Sequence, residues 1–414
     1  MVQAVVLPAK QTGPRLRALP PLAIYVHVPW CVRKCPYCDF NSHELRRPAR
    51  GAVSDAGGPT GLEHAGLDPV LERSYLDALI LDLDQALPAV WGRTVHAIFI
   101  GGGTPSLLSA RAVDELLCAI RTRVRLDPGA EITLEANPGT FETRKFADFR
   151  AAGVNRLSIG IQSFDPAHLR SLGRIHDDRQ ARAAIEIARA HFDNFNLDLM
   201  YALPQQSVAQ ALADLERALA YAPPHLSVYH LTIEPNTAFH RHPPNLPEDD
   251  VAADMQEAIE ERLDRLGYRH YETSAFAQAG RASRHNLNYW TFGDYIGIGA
   301  GAHGKISFAD RIVREMRWKN PRQYLQMATS GTPVQSSQEV GTDALPFEFM
   351  MNALRLVGGF ELRLFEERTG LPLASVLGPL DRAVQRGLIE RDFLRARPTL
   401  RGQRFLNDLL QLFL

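Results

Sequence analysis

No stretch of this sequence is apolar for long enough to cross a membrane, and prolines break the N-terminal MVQAVVLPAKQTGPRLRALPPLA before it could act as a signal peptide. An excess of one charge is lacking too: 46 Lys and Arg stand against 47 Asp and Glu, a formal net charge of −1. That balance gives no electrostatic basis for nucleic acid or an acidic membrane as the main partner. Cysteine is scarce, with four in 414 residues. So few exclude a disulfide scaffold and fit a reducing cytoplasm. No segment repeats at a fixed period. The rest is ordinary for a soluble globular protein, at 45% hydrophobic and 22% charged residues. The length suits one large domain and a smaller one.

What cysteine there is, is concentrated. Cys31, Cys35 and Cys38 fall within IYVHVPWCVRKCPYCDFNSH, at CxxxCxxC spacing directly after a β-like apolar run. Thiolates are soft ligands that suit iron–sulfur clusters, and a cubane needs one ligand per iron. Three cysteines leave one iron open to chelate a small molecule. The alternatives are a zinc site or reduced core thiols. Zinc usually takes four ligands in paired CxxC or His-containing spacings, and no second pair follows. Core thiols would not cluster around Lys34, Pro36 and Asp39.

Strand-like runs alternate with helical patterns, the mark of βα units and a parallel sheet. Strands are expected at Ile24–Val28, Ala97–Ile100, Glu131–Glu135, Arg156–Ile161, Phe195–Met200 and Leu226–Leu231. Helical faces are carried by Leu76, Leu79, Ile80, Leu83 and Leu87, by Val113, Leu116, Leu117 and Ile120, and by Val251 to Leu266, the last stopped at Gly267. Six such units imply an α/β fold, a partial (β/α)6 barrel. Residues 45–69, rich in glycine and proline, read as a flexible insertion. The expected organisation is a tail over 1–20, the barrel over 21–325, and a small mostly α domain over 326–414. That last domain is winged-helix-like, with a hairpin near Ile389–Leu400.

In a parallel barrel, functional residues gather at the C-terminal ends of strands. The three cysteines follow the first strand, and Gly102, Gly103 and Thr104 of GGGTP follow the second. Glycines there let backbone approach a ligand and offer bare N–H groups to a carboxylate. Taken alone, that turn would be no more than a tight bend. Glu135 ends the third strand, Gln162 the fourth, Asp198 lies in the fifth, and Arg174 sits in LGRIH. Polar groups in apolar strands are costly unless they are paired or face a ligand. Cys118, in an amphipathic helix, is expected to be a small buried hydrophobe. In SRHNLNYW, His285 and Tyr289 would share a helical face beside Trp290. Histidine can ligate haem iron and flat aromatics can stack on a macrocycle, although a polar turn with a core-anchoring pair is the bland alternative. The glycine-rich GDYIGIGAGAHG would close the barrel mouth or form a loose loop.

With these motifs in order, the chain resembles the oxygen-independent coproporphyrinogen oxidase-like branch of radical S-adenosylmethionine (SAM) proteins, and within it the haem-chaperone group. The motifs are YVHVPWC, GGGTP, LEANPGT, GVNRLSIGIQSF, LGRIH, DLMYALP, LTIEP and HNLNYW. The resemblance implies a [4Fe–4S] cluster on Cys31, Cys35 and Cys38. It implies SAM contacts from Tyr25, Tyr37, Gly102, Gly103, Thr104, Glu135, Gln162, Arg174 and Asp198, with Thr232 and His303 matching less closely. His285, Tyr289 and Trp290 would hold haem. Two departures argue against decarboxylation of coproporphyrinogen III: Phe40 stands where the oxidases carry a fourth cysteine, and only some two dozen residues precede the first strand. HNLNYW favours a chaperone delivering haem to apo-proteins such as respiratory cytochromes or a bacterioferritin, over the oxidase or another SAM-dependent reaction such as methyl transfer. That reading also implies a cytoplasmic protein touching the membrane only through membrane acceptors, and a homodimer controlled by the cluster and SAM.

Overall fold

The structure is a computed structural model describing residues 13–45, 66–139 and 145–414. Most of the expected insertion, residues 46–65, and the first twelve residues of the tail lie outside the described residues.

All six expected strands form. They are β1 (Leu22–Val28), β2 (Thr94–Gly102), β3 (Arg125–Ala136), β4 (Arg156–Gln162), β5 (Phe195–Tyr201) and β6 (His225–His230), all parallel in sequence order. Beyond β6, two antiparallel strands follow, β7 (Arg269–Glu272) and β8 (Ala275–Ala277). The other edge holds a seventh parallel strand: β9 (Asp294–Ile298) pairs with β1. From β9 the sheet runs on antiparallel through β10 (His303–Ser307), β11 (Ile312–Arg317) and β12 (Val334–Glu339).

GDYIGIGAGAHG is therefore neither lid nor loose loop but β9, a tight turn and the start of β10. Its glycines answer to close packing: a Cβ on Gly297 would lie 1.9 Å from the His303 carbonyl oxygen, and Gly299 and Gly301 adopt φ of +103° and +77°.

Helices cover the outer face of the sheet, among them α1 (Pro69–Ala86), α2 (Ala110–Arg123), α3 (Phe146–Ala152), α4 (Asp178–His191), α5 (Val208–Leu219) and α6 (Asp249–Arg265). Their starts are chemically marked. Asp68 caps α1 ahead of Pro69, Ser109 caps α2, and capping boxes Asp177/Gln180 and Ser207/Gln210 open α4 and α5. As expected, α6 ends just before Gly267, which takes the left-handed φ of +77°. Cys118 departs from expectation: it is exposed, because position 118 falls off the Val113–Leu117–Ile120 stripe that α2 buries.

Two further helices are α7 (Arg284–Trp290), which precedes β9, and α8 (Pro321–Thr329), which packs on α1. Asp82 of α1 is fully buried and accepts from Arg317 Nε (3.0 Å), Tyr324 Oη (2.9 Å) and the Gly299 amide (3.0 Å). Tyr324 lies on α8 and belongs to the barrel core, and β12 continues the main sheet, so the barrel unit runs past residue 325.

A second core begins at Val340 and centres on Phe349, which meets Phe360, Phe365 and Phe292 edge-on. It packs α9 (Leu345–Ala353), α10 (Leu362–Thr369) and α11 (Ala374–Gln385) on a small antiparallel sheet of β13 (Phe360–Glu361), β14 (Ile389–Arg391) and β15 (Arg395–Pro398). The β14–β15 pair is the hairpin read from the sequence. Leu16 joins this second core, so the described part of the tail is docked against it.

Candidate functional site

The parallel strands surround a cavity of about 480 Å³ that opens beside the cysteines and reaches Asn286 of α7. That volume is ordinary for a small-molecule site. Cys31, Cys35, Cys38 and Tyr37 line its mouth together with Gly102, Gly103, Thr104 and Arg174; Glu135, Gln162, Asp198 and Thr232 line its wall. Tyr25, His285, Tyr289, Trp290 and His303 do not line it. Exposed Phe40, in the fourth cysteine's expected place, lies at the mouth.

The mouth is organised by backbone and a few polar links. The Cys38 amide donates to the Cys35 carbonyl at 3.2 Å, turning the loop. Arg174 donates to Cys35 Sγ (3.7 Å), Asn137 Oδ1 (2.6 Å) and the Gly160 carbonyl (2.7 Å). Asn137 Nδ2 in turn donates to Thr104 Oγ1 at 3.0 Å. One arginine thus fixes the cysteine loop, β4 and the loop after β3. The glycines of GGGTP serve the protein's own packing as well as a ligand. A Cβ on Gly102, at φ +114°, would meet the His27 ring at 2.7 Å, and one on Gly103 would meet the Trp30 carbonyl oxygen at 2.6 Å. The Gly102 amide donates to Glu135 Oε2 at 3.0 Å, so that N–H is aimed at a carboxylate of this chain.

Burial pushes the Cys31 thiol up, partly offset by a hydrogen bond to Thr104. All four cysteines are free. Among the described residues no group of three or more His, Cys, Asp or Glu could hold a metal ion. Three thiols lining one mouth are the donor set of a cubane, in which each sulfur would meet a different iron.

Every second residue of β4 and β5 faces the cavity, and most of these are polar. Ser158, Gly160 and Gln162 of β4 and Asn196, Asp198 and Met200 of β5 all face the cavity. Gln162 adopts φ +66°, a strained value for a non-glycine residue that turns it at the strand end. Asp198 accepts from Asn196 Nδ2 (2.7 Å) and Ser158 Oγ (3.2 Å). Burial raises its carboxyl pKa, as it raises that of Glu135 to about 8, with the Asp198 charge adding to the latter.

Tyr25 stands behind this lining. Its hydroxyl donates to His27 Nδ1 (2.9 Å), and His27 Nε2 donates to the Asn41 carbonyl (2.9 Å).

The HNLNYW segment is α7, at the opposite end of the barrel from the cysteines. Ser283 caps it, and Glu131, near the start of the buried part of β3, accepts from the Arg284 amide at 3.0 Å. His285 is 3% exposed, with its ring stacked on Phe99 at 4.8 Å and edge-on to Tyr289 at 4.8 Å. Its shared face with Tyr289 is as the helical spacing implied. Burial, reinforced by the charge of Arg156, drops the imidazole pKa to about 3, so it is neutral. Nδ1 of His285 and Nε1 of Trp290 have no hydrogen-bond partner among the described residues. Arg355 lies over the Trp290 ring at 4.9 Å, linking this helix to the C-terminal domain.

Three side chains escaped the sequence reading. Asn137 lay inside the quoted LEANPGT motif. Asn196 and Arg156 could have been found from the period-2 polar pattern of RLSIGIQ and NLDLMY, which marks one wet strand face.

Residues 25–218 match the Radical SAM superfamily and residues 342–405 match the HemN C-terminal domain. The chain is 46% identical over 398 residues to heme chaperone HemW of Escherichia coli (strain K12), covering 96% of this chain and 99% of that one. It is 44% identical to heme chaperone HemW of Haemophilus influenzae over 402 residues, with coverage of 96% and 98%. This chain belongs to the HemW family. The HemW relatives extend to Bacillus subtilis, at 32% identity over 398 residues. Among solved structures, coproporphyrinogen III oxidase (HemN) from Escherichia coli superposes with a TM-score of 0.76 at 23% identity, covering 95% of this chain and 90% of that one. At that identity the superposition establishes the radical SAM fold. Membership of the radical SAM superfamily implies that this chain uses SAM and an iron–sulfur cluster. Among the described residues no helix is long and apolar enough to cross a membrane.

Proposed function

We propose that this protein is a haem chaperone, binding haem and handing it to apo-haem proteins. The observation that carries this reading is the 46% identity to a HemW over 96% of the chain. Respiratory cytochromes and a bacterioferritin are the acceptors we assign, met in the cytoplasm or at the membrane face of a membrane acceptor.

In this reading Cys31, Cys35 and Cys38 hold a [4Fe–4S] cluster whose fourth iron is left for SAM. Gly102, Gly103, Thr104, Tyr37, Glu135, Gln162, Arg174 and Asp198 bind and orient SAM, and Tyr25 supports them through His27. Arg174 keeps the Cys35 loop and the Asn137–Thr104 pair in one arrangement, so a change at the cluster is felt along the SAM-facing wall. When bound, cluster and SAM supply a structural lock or a switch for haem release and dimer formation. His285 is the haem ligand: its imidazole is neutral, the form that ligates iron, and its Nδ1 has no partner among the described residues. Tyr289 and Trp290 wall the haem.

The test uses anaerobically reconstituted protein with SAM and a low-potential reductant, given haemin in one arm and coproporphyrinogen III in the other. The reading expects haem retained through gel filtration and no protoporphyrinogen. Decarboxylation of coproporphyrinogen would assign the oxidase activity instead.

A further inference from the structure

We propose that Arg156 anchors a carboxylate at the cavity floor and that this carboxylate is a propionate of the haem; the second half rests on the haem-chaperone reading. Arg156 is 2% exposed and lines the cavity, yet its Nε has no hydrogen-bond partner and it forms no ion pair among the described residues. A guanidinium is always charged and offers five donors, and an unpaired charge of this kind is expensive to bury. Among the described residues, the two other Arg or Lys side chains with at most 2% of their surface exposed each have a carboxylate: Arg317 has Asp82, and Lys305 has Asp294. Glu135 and Asp198 share the cavity wall without pairing to Arg156, and burial favours their neutral forms.

Arg156 is also not alone. Tyr25, Phe99, Thr133 and Arg156 are successive cross-strand neighbours, one level of the barrel. Thr133 Oγ1, fully buried, lacks a partner among the described residues, as does Nδ1 of His285, whose ring stacks on Phe99. A guanidinium beside a hydroxyl is a donor set, and it matches an acceptor-only group such as a carboxylate. In the proposed reading SAM's own carboxylate would be taken up by the open iron of the cluster, by the mouth. Arg156 and Gln162 are the two ends of β4, six residues apart and up to roughly 20 Å along the strand at about 3.3 Å per residue. The floor therefore calls for a different anion. The haem-chaperone reading supplies one, since the cargo itself carries two propionates.

The experiment titrates haemin and haemin dimethyl ester, which lacks the free carboxylates, into reconstituted full-length protein by absorbance. The wild type should bind the diacid about tenfold or more tighter than the diester, the scale of one charge-assisted hydrogen-bonded pair. Arg156→Met should erase that preference and Arg156→Lys should keep part of it, with SAM affinity unchanged in both. A preference that survives Arg156→Met at its wild-type ratio overturns the assignment of Arg156. If Arg156→Met does not fold, a wild type or Arg156→Lys indifferent to esterification overturns the propionate. Loss of SAM binding in Arg156→Lys or Arg156→Met gives the arginine to SAM and overturns the proposal as well. A wild type that takes up neither compound contradicts the haem reading itself.

Discussion

The two ends of the barrel are built on different terms. At the mouth, loops are held by backbone hydrogen bonds, close glycine contacts and one well-partnered arginine, Arg174. At the floor, α7, β3 and β4 bring together buried side chains, and three of their polar atoms, on Arg156, Thr133 and His285, find no partner among the described residues. The mouth presents thiols to a cofactor. The floor leaves buried donors and acceptors open to a ligand. Cofactor retention and cargo binding should therefore fail separately, and each prediction below tests that separation.

The largest effect is expected at the mouth. Cys35→Ser should abolish the visible absorption of the reconstituted cluster while leaving the far-ultraviolet circular dichroism unchanged; a retained cluster would mean that Cys35 is not a ligand. Gly103→Ala drives a Cβ into the Trp30 backbone and should cost about 1–3 kcal/mol of stability in denaturant melts. An unchanged midpoint would show that the cysteine loop yields easily.

At the floor, His285→Ala should weaken haem binding about tenfold or more, the order of one lost ligand or hydrogen-bonded contact, without touching cluster or SAM. Equal haem affinity removes His285 from the haem site. Glu131→Ala takes away the acceptor for the Arg284 amide at the start of α7, and should cost about 1 kcal/mol, the usual worth of a helix cap. If stability falls and haem affinity does not, the helix is a strut rather than a binding element.

The subtlest effect depends on pH. Glu135 has a folded-state pKa raised from 4.5 to about 8, so its protonated form favours the fold. That contribution is whole below the unfolded value and is lost as pH rises through the interval up to about 8. Glu135→Gln, which stays neutral, should therefore gain stability over the wild type progressively from about pH 4.5 to 8 in the cofactor-free protein. Parallel stability curves for the two proteins would contradict it.

The unequal legibility of the two ends has a physical source. The mouth rests on short-range constraints, and those leave local marks: CxxxCxxC, GGGTP and the strand before each. All six strands could be placed because buried parallel strands read as apolar runs. β9 was not, since its glycines looked like a loop; they are there because Gly297 packs against the His303 backbone in the β9–β10 turn, a contact made only in the folded sheet. Cys118 was misjudged by one helical position, enough to move it from the stripe to solvent. The floor is assembled from residues as distant as Glu131, Arg156 and His285; the alternation of RLSIGIQ marks a polar strand face, but its meeting with α7 is made only in the folded sheet. HNLNYW drew notice through its composition, but its place opposite the cysteines depends on the way β9 returns beside β1.

The account stands most directly on haem transfer. Reconstituted protein loaded with one equivalent of haem would be mixed with an apo-cytochrome b, and the acceptor's absorption followed after separation of the two proteins. The account predicts that haem leaves the chaperone for the acceptor faster than haem supplied on an unrelated carrier, and that His285→Ala loses this advantage. Transfer no faster than from the unrelated carrier, or an advantage indifferent to His285, would contradict it.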